Sequence, residues 1–421
     1  MSISKIDQAH IWHPLTQHKT SSAPIPIVRA KGALLYAEDG KEYIDGIASW
    51  YTAMYGHCHP YIIEQVTAQM QTLDQIVFTG FTHQPATTLA QKVLSILPDN
   101  QQKIFFNDNG STAVEAGIKM ALQYHHNKGE KRNTLIAFED GFHGDTFGAM
   151  SVSGLSVYNG PFEDYFLNVQ RIPTPKVDNL KKVLHTLQTI IDTHSCAGFV
   201  YEPLVQGAAG MQMHDATGLE AILHLCKAND IVTIADEVMT GFGKTGKHFA
   251  SLHLTTYPDI MCLSKALTAG LVPMSLTTCT QKIYDAFLDD TVSKGFFHAH
   301  TYSANPMACA AAIAGIDLLI SEDIQHQIKH IKERHTAFAK AIKTHPKVLN
   351  ARVQGVIFAF ELNTKMERYG SLRNQLYTHF MDRGVALRPL GNTIYVLPPY
   401  VITDAQLDSI YKAIEDALEV F

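Results

Sequence analysis

IVTIADEVMTGFGKTGKHFASLHLTTYPDIMCLSKAL, residues 231–267, is the stretch on which the reading of the fold turns. It holds two short apolar runs, IVTIA and IMCL. Asp236 directly follows the first, and Lys265 stands two residues after the second. Short apolar runs bounded by turn signals suit strands buried on both faces, as in a parallel sheet. The pattern extends toward the N-terminus through KIFF (103–106), TLIAF (134–138) and AGFVYEP (197–203), with helical periodicity between them. Such alternation predicts βαβ units and an α/β fold, a large domain with a mainly parallel sheet flanked by helices.

Outside this region the signals change. ALLYAEDGKEYID (33–45) reads as a hairpin turning at Asp39-Gly40. Beyond Gly315, the helical pattern of DIQHQIKHIKERHTAFAKAIKTH precedes strand candidates VIFAFEL and TIYVLPPY. A last helix is opened by Thr403 and Gln406 at capping-box spacing. The expected organisation is an N-terminal segment (1–58) joining a small domain, a large domain (59–315) and a smaller α+β domain (316–421).

Composition narrows the function classes. The 421 residues are 46% hydrophobic and 18% charged, with a formal net charge of -6. No run of Lys and Arg exceeds a pair, which argues against a nucleic-acid or membrane footprint. The six cysteines are scattered without a Cys-x-x-Cys pair and read as reduced thiols. With no signal-peptide pattern at the start and no apolar run near the ~20 residues of a membrane span, a soluble cytoplasmic protein is expected.

Three features carry chemistry. A lysine at the end of a buried strand is desolvated, which lowers its pKa and makes it a nucleophile suited to a Schiff base; the bland alternative is that Lys265 snorkels to the sheet edge. Asp236 would open on the same edge, where α/β folds bind ligands, although a structural or metal-binding acid is the alternative. Asn109-Gly110-Ser111-Thr112 stands between a strand and a helix, a place for phosphate, with Thr112 and Glu115 at capping-box spacing. Two strings are decoys. GFGKTGK (241–247) nearly satisfies a nucleotide-binding loop, but His248 replaces the required Ser or Thr. His57-Cys58-His59 lacks the spacing of a zinc site, and no metal is expected.

The strings NDNGSTAVEAGIKMA, GFHGDTFGAMSVSG, FVYEPLVQGAAGM, IADEVMTGFGKTGK, DIMCLSKALTAG and HTYSANPMACAAA resemble the class III, fold-type I aminotransferases. The resemblance runs from about Trp12 to the C-terminus. It implies pyridoxal 5′-phosphate as cofactor, Lys265 as the Schiff-base lysine and Asp236 as partner of the pyridine nitrogen. It further implies that Gly110 and Ser111 bind the phosphate, with Thr301 reaching it from the other subunit of a homodimer. Phe142 and Val238 would pack on the two faces of the ring, with Glu202 behind them. Trp50 and Tyr51 would line the substrate channel, and Arg388 would meet a substrate carboxylate. WHPLTQ, ASWYTAMYGHCHP and GVALRPLGNTIYVLPPY resemble the diaminopelargonate synthases of biotin synthesis. That branch implies 8-amino-7-oxononanoate as acceptor and S-adenosylmethionine, or lysine, as donor. Leu15 and Lys244 depart from the Tyr and Arg of some relatives, and a broader ω-aminotransferase of diamines or ω-amino acids shares every cofactor residue. A nucleotide-binding protein and a non-catalytic protein on this fold are the readings outside the family.

Overall fold

Strands of the central sheet follow the apolar runs closely in the computed structural model, which describes residues 2–156, 159–364 and 370–421. They are β1 (Gln101–Asn107), β2 (Thr134–Phe138), β3 (Val169–Ile172), β4 (Cys196–Tyr201), β5 (Val232–Asp236), β6 (Ile260–Leu263) and β7 (Ser275–Thr280). The spatial order is β1-β7-β6-β5-β4-β2-β3. β7 runs antiparallel to both neighbours, while the pairs from β6 to β3 are parallel. The sheet is therefore mainly parallel, as expected. β3 and β7 are two strands that the sequence reading does not mark.

Both faces of the sheet are covered, and successive residues of each strand feed different cores. Leu135, Ala137, Ile234, Ile260 and Cys262 join one apolar cluster under the helix Gly110–Asn127. Ile136, Phe138, Ala235, Met261 and Leu263 join the larger cluster on the other side. Close helix approach is needed at Gly117, where an added Cβ would lie 3.3 Å from Cys262 Sγ and Ile234 Cγ2.

Strands Ile27–Lys31, Leu34–Ala37 and Glu42–Asp45 form an antiparallel meander with the hairpin turn at Asp39-Gly40. The two-residue strand Val385–Ala386 adds to it in parallel, pairing Ile44 with Val385 and Asp45 with Ala386. The two ends of the chain thus share a sheet. Strands Val348–Gln354, Ile357–Leu362 and Thr393–Val396 build a separate antiparallel sheet, accompanied by helices Glu322–Ile342 and Asp404–Val420. The last of these carries the Thr403–Gln406 capping box read from the sequence. Among the described residues no helix is long and apolar enough to cross a membrane.

Candidate active site

β5 and β6 pair in parallel, with Asp236 opposite Cys262, so Asp236 and Lys265 leave the sheet at the same edge. Lys265 opens a 3-10 turn, Lys265–Thr268, with φ +51°. Its Nζ has no hydrogen-bond partner among the described residues and lies 5.5 Å from the centroid of the Tyr51 ring. Burial pushes the ammonium below its ordinary pKa, and the negative charges of Asp236 and Glu202 oppose that shift. Lys265 is thus an unpaired amine at a strand end, facing two carboxylates.

Asp236 is buried, and both carboxylate oxygens are engaged. Oδ1 accepts the Val238 N–H at 3.0 Å, and Oδ2 lies 2.7 Å from His143 Nδ1. His143 is buried as well, its backbone N–H donating to Ser153 Oγ and its Nε2 having no partner among the described residues. The sequence reading passes over His143, although it stands beside Phe142 in GFHGDTF. Phe142 is 43% exposed, while its N–H donates to Glu202 at 3.1 Å. Glu202 also accepts the Gly207 N–H at 2.9 Å. Burial pushes its carboxyl up to about 7; the His143 charge counters this, while Asp236 adds to it.

The helix Gly110–Asn127 points its N-terminus into this group. Its cap is not the expected Thr112–Glu115 box. Asn109 is the N-cap, accepting the Thr112 N–H while Thr112 Oγ1 accepts the Asn109 N–H. Glu115 instead accepts the Gly148 N–H at 2.7 Å and the Thr146 hydroxyl, tying the loop after Phe142 to the helix. The Gly110 and Ser111 N–H groups precede the first intrahelical acceptor and find none among the described residues. A Cβ on Gly110 would lie 2.8 Å from Val238 Cγ1 and 3.7 Å from Ser264 Cβ, so only glycine leaves this cradle open. Ser111 Oγ accepts the Asp145 N–H at 3.3 Å.

The remaining expected residues divide. Trp50 and Tyr51 come together with Arg388 and Lys265: the Arg388 guanidinium carbon lies 5.1 Å from the Trp50 ring centroid, and Tyr51 OH donates to Tyr395 OH at 3.0 Å. Arg388 forms no ion pair among the described residues. Trp50 and Tyr51 stand on the turn Ala48–Tyr51, where four consecutive residues have φ of +46°, +45°, +67° and +71°. A left-handed turn of non-glycine residues costs roughly 1–2 kcal/mol per residue, so the surroundings must hold it. Thr301 is set apart within the chain: it is exposed, and its carbonyl accepts Gln75 Nε2. Leu15 is exposed with φ +51°, in the N-terminal segment.

GFGKTGK does not form a nucleotide loop: Lys247, the lysine of that motif, donates to the Leu252 carbonyl at 2.8 Å, and only the short 3-10 turn Ala250–His253 follows. Within the loop Lys244 is 0% exposed and donates to the Gly241 carbonyl at 2.9 Å. Burial, followed by the Lys265 charge, pushes Lys244 well below its ordinary pKa. Glu237 anchors the loop by accepting from Thr240, Ala250 and Ser251. His57 is engaged by Asp45 at 2.9 Å, and His59 stands at the N-cap position of the helix Pro60–Met70 without a side-chain capping bond.

Comparison with known proteins places this geometry. The family model described as "Aminotransferase class-III" matches residues 15–418. The chain belongs to the class III aminotransferases. A curated relative named adenosylmethionine-8-amino-7-oxononanoate aminotransferase, from Synechococcus elongatus, is 41% identical over 97% of this chain and 98% of its own. The crystal structure of the protein of that name from Methanocaldococcus jannaschii is 31% identical, covers 98% of each chain and superposes with a TM-score of 0.92. An amine transaminase from an uncultivated Pseudomonas species, solved in its PLP-bound form, is 27% identical over 97% and 98% of the two chains, with a TM-score of 0.91. As a class III aminotransferase this enzyme uses pyridoxal 5′-phosphate. The residues present suit that group: an unpaired lysine, a buried carboxylate held by histidine, and a glycine-opened helix N-terminus with two free N–H groups.

Proposed function

We propose that this aminotransferase moves an amino group from S-adenosylmethionine to 8-amino-7-oxononanoate, giving 7,8-diaminononanoate in biotin synthesis. The observation that carries the substrate reading is Arg388. Its guanidinium has no carboxylate partner among the described residues and is held against Trp50, next to the Tyr51 ring that neighbours Lys265. A guanidinium fork suits bidentate binding of a carboxylate, and the acceptor carries one at the far end of its chain from the reacting carbonyl. The full-length similarity to relatives of that name supports the same choice.

Lys265 serves as the attachment point of the cofactor and, once displaced by substrate, moves a proton at the substrate carbon. The bound cofactor supplies the electron sink for that carbon. Asp236, held by the Val238 N–H and by His143 Nδ1, would face the pyridine nitrogen of the bound cofactor. Gly110 and Ser111 offer backbone N–H groups to the phosphate, Phe142 and Val238 flank the ring, and Glu202 fixes the Phe142 backbone. Trp50 and Tyr51 shape the substrate channel. The exposed Thr301 serves the phosphate of a second subunit, which makes the enzyme a homodimer with sites at the interface. The division into residues 1–58, 59–315 and 316–421 and a cytoplasmic location belong to the same reading.

Mass-spectrometric detection of 7,8-diaminononanoate from enzyme, acceptor and S-adenosylmethionine tests it. Product formed only when lysine replaces S-adenosylmethionine changes the donor. No product with any donor overturns the acceptor. The broader ω-aminotransferase is the second reading, favoured by the likeness to the amine transaminase and by Lys244 and Leu15 in place of Arg and Tyr. It expects turnover with simple amines and no requirement for Arg388.

A further inference from the structure

The residues that hold the left-handed turn lie outside every cofactor contact described above. Asp45 is 1% exposed, at the end of its strand, and its carboxylate takes three donors from the turn and the loop beyond it. Oδ1 accepts the Ile47 N–H at 3.3 Å, and Oδ2 accepts the Ser49 hydroxyl at 2.8 Å and faces His57 Nε2 at 2.9 Å. His57 is itself fixed, because its backbone exchanges two hydrogen bonds with Gly32. On the other side of the turn, Gly270 lies so near Thr52 that an added Cβ would meet the Thr52 carbonyl carbon at 2.8 Å. The turn is therefore wedged between the N-terminal sheet and the loop that follows Lys265. Asp45 also pairs with Ala386, two residues before Arg388.

We propose that Asp45, Ser49 and His57 are positioning residues for the substrate half of the site. They hold Ala48–Tyr51 in its left-handed form, which sets Trp50 beneath Arg388 and Tyr51 beside Lys265. The strand that carries Asp45 fixes the register of the segment leading to Arg388. One buried carboxylate thus ties together three side chains that meet the amino acceptor. The proposal rests on the reading that those three side chains bind substrate. A buried carboxylate that loses a donor is left under-satisfied, so removing the His57 imidazole releases the turn rather than merely trimming it.

The chain has two tryptophans, so Trp12→Phe leaves Trp50 as the only indole and makes its fluorescence a direct report on the turn. The experiment compares His57→Ala, His57→Gln and Ser49→Ala in that background, as holoenzyme. It reads acrylamide quenching of Trp50, visible absorbance of the bound cofactor, and KM and kcat for the best amino acceptor of the parent. In His57→Ala, quenching rises at least about twofold and KM rises about tenfold, while kcat changes less and cofactor absorbance is retained. His57→Gln, which keeps a donor for Asp45, restores most of the loss. Ser49→Ala shifts both readouts the same way by less, and it carries the test should His57→Ala not fold. Unchanged quenching overturns the clamp. Raised quenching with unchanged KM overturns its role toward substrate. Using the parent's best acceptor keeps this result separate from the identity of that acceptor.

Discussion

Lys265 and Asp236 stand at the ends of neighbouring parallel strands, where the ladder between β5 and β6 fixes their backbones. Trp50 and Tyr51 stand on a turn that no ladder supports, in a backbone conformation opposed by their own Cβ atoms. The two halves of the site are held by different means. Sheet hydrogen bonds and helix packing set the proposed cofactor half, whereas in the clamp proposed above side-chain contacts to Asp45 set the proposed substrate half. On this reading the chemistry common to the family sits on the rigid half, and selectivity on the half that a handful of substitutions can reshape.

The largest expected effect is on the rigid half. Lys265→Ala would remove the proposed attachment point and proton carrier, and turnover should fall by about 10⁴-fold or more, with loss of the cofactor's visible band. Steady-state kinetics together with the absorption spectrum check this; a variant with near-parent turnover would remove Lys265 from the chemistry. Next is Arg388→Ala, which should raise KM for a carboxylate-bearing acceptor about 10- to 100-fold while a simple aldehyde acceptor is unaffected. Equal loss for both acceptors would move Arg388 from binding to structure. A smaller effect is expected from His143→Ala, which leaves Asp236 Oδ2 short of a donor and should lower kcat about tenfold with KM for substrate little changed.

The last expected effect is on stability and not on turnover, and it depends on pH. Burial raises Glu202 to about 7 in the folded chain. The unfolded chain releases that proton at lower pH, so stability falls as pH rises between the ordinary glutamate value and the folded one. The loss is on the order of 3 kcal/mol when fully developed. Thermal unfolding at about pH 5 and about pH 8 should show a larger drop in midpoint for the parent than for Glu202→Gln. Equal drops would mean that Glu202 is ionised throughout.

Legibility in the sequence follows the same division. The strand runs and their charged ends are visible because strands buried on two faces must be continuously apolar, and the Asp236–Lys265 pair follows from that alone. β7 escapes notice because SLTTCT looks half polar. Thr277 and Thr278 are nonetheless buried, with Thr277 donating to the Ala113 carbonyl and Thr278 to Gln101. Such satisfied hydroxyls carry no signal in a hydropathy pattern. The cap of helix Gly110–Asn127 lies earlier than the Thr112–Glu115 spacing suggests because Asn109 outcompetes Thr112 as cap, freeing Glu115 to hold the Thr146–Gly148 loop. The left-handed turn is the least legible feature. Ala-Ser-Trp-Tyr contains no glycine or asparagine to announce positive φ, and its support comes from Asp45 and His57 on separate segments. The resemblance supplied Trp50, Tyr51 and Arg388, but it carried no information about what holds them.

The most direct test of amino transfer to 8-amino-7-oxononanoate needs no knowledge of the donor. The enzyme is converted to its pyridoxamine form, 8-amino-7-oxononanoate is added, and the cofactor spectrum is followed. Return of the pyridoxal band, with 7,8-diaminononanoate in stoichiometric amount, is the expected result. A spectrum that stays in the pyridoxamine form, while simple aldehydes or oxo acids restore the band, would contradict the assignment and place the enzyme among the general ω-aminotransferases.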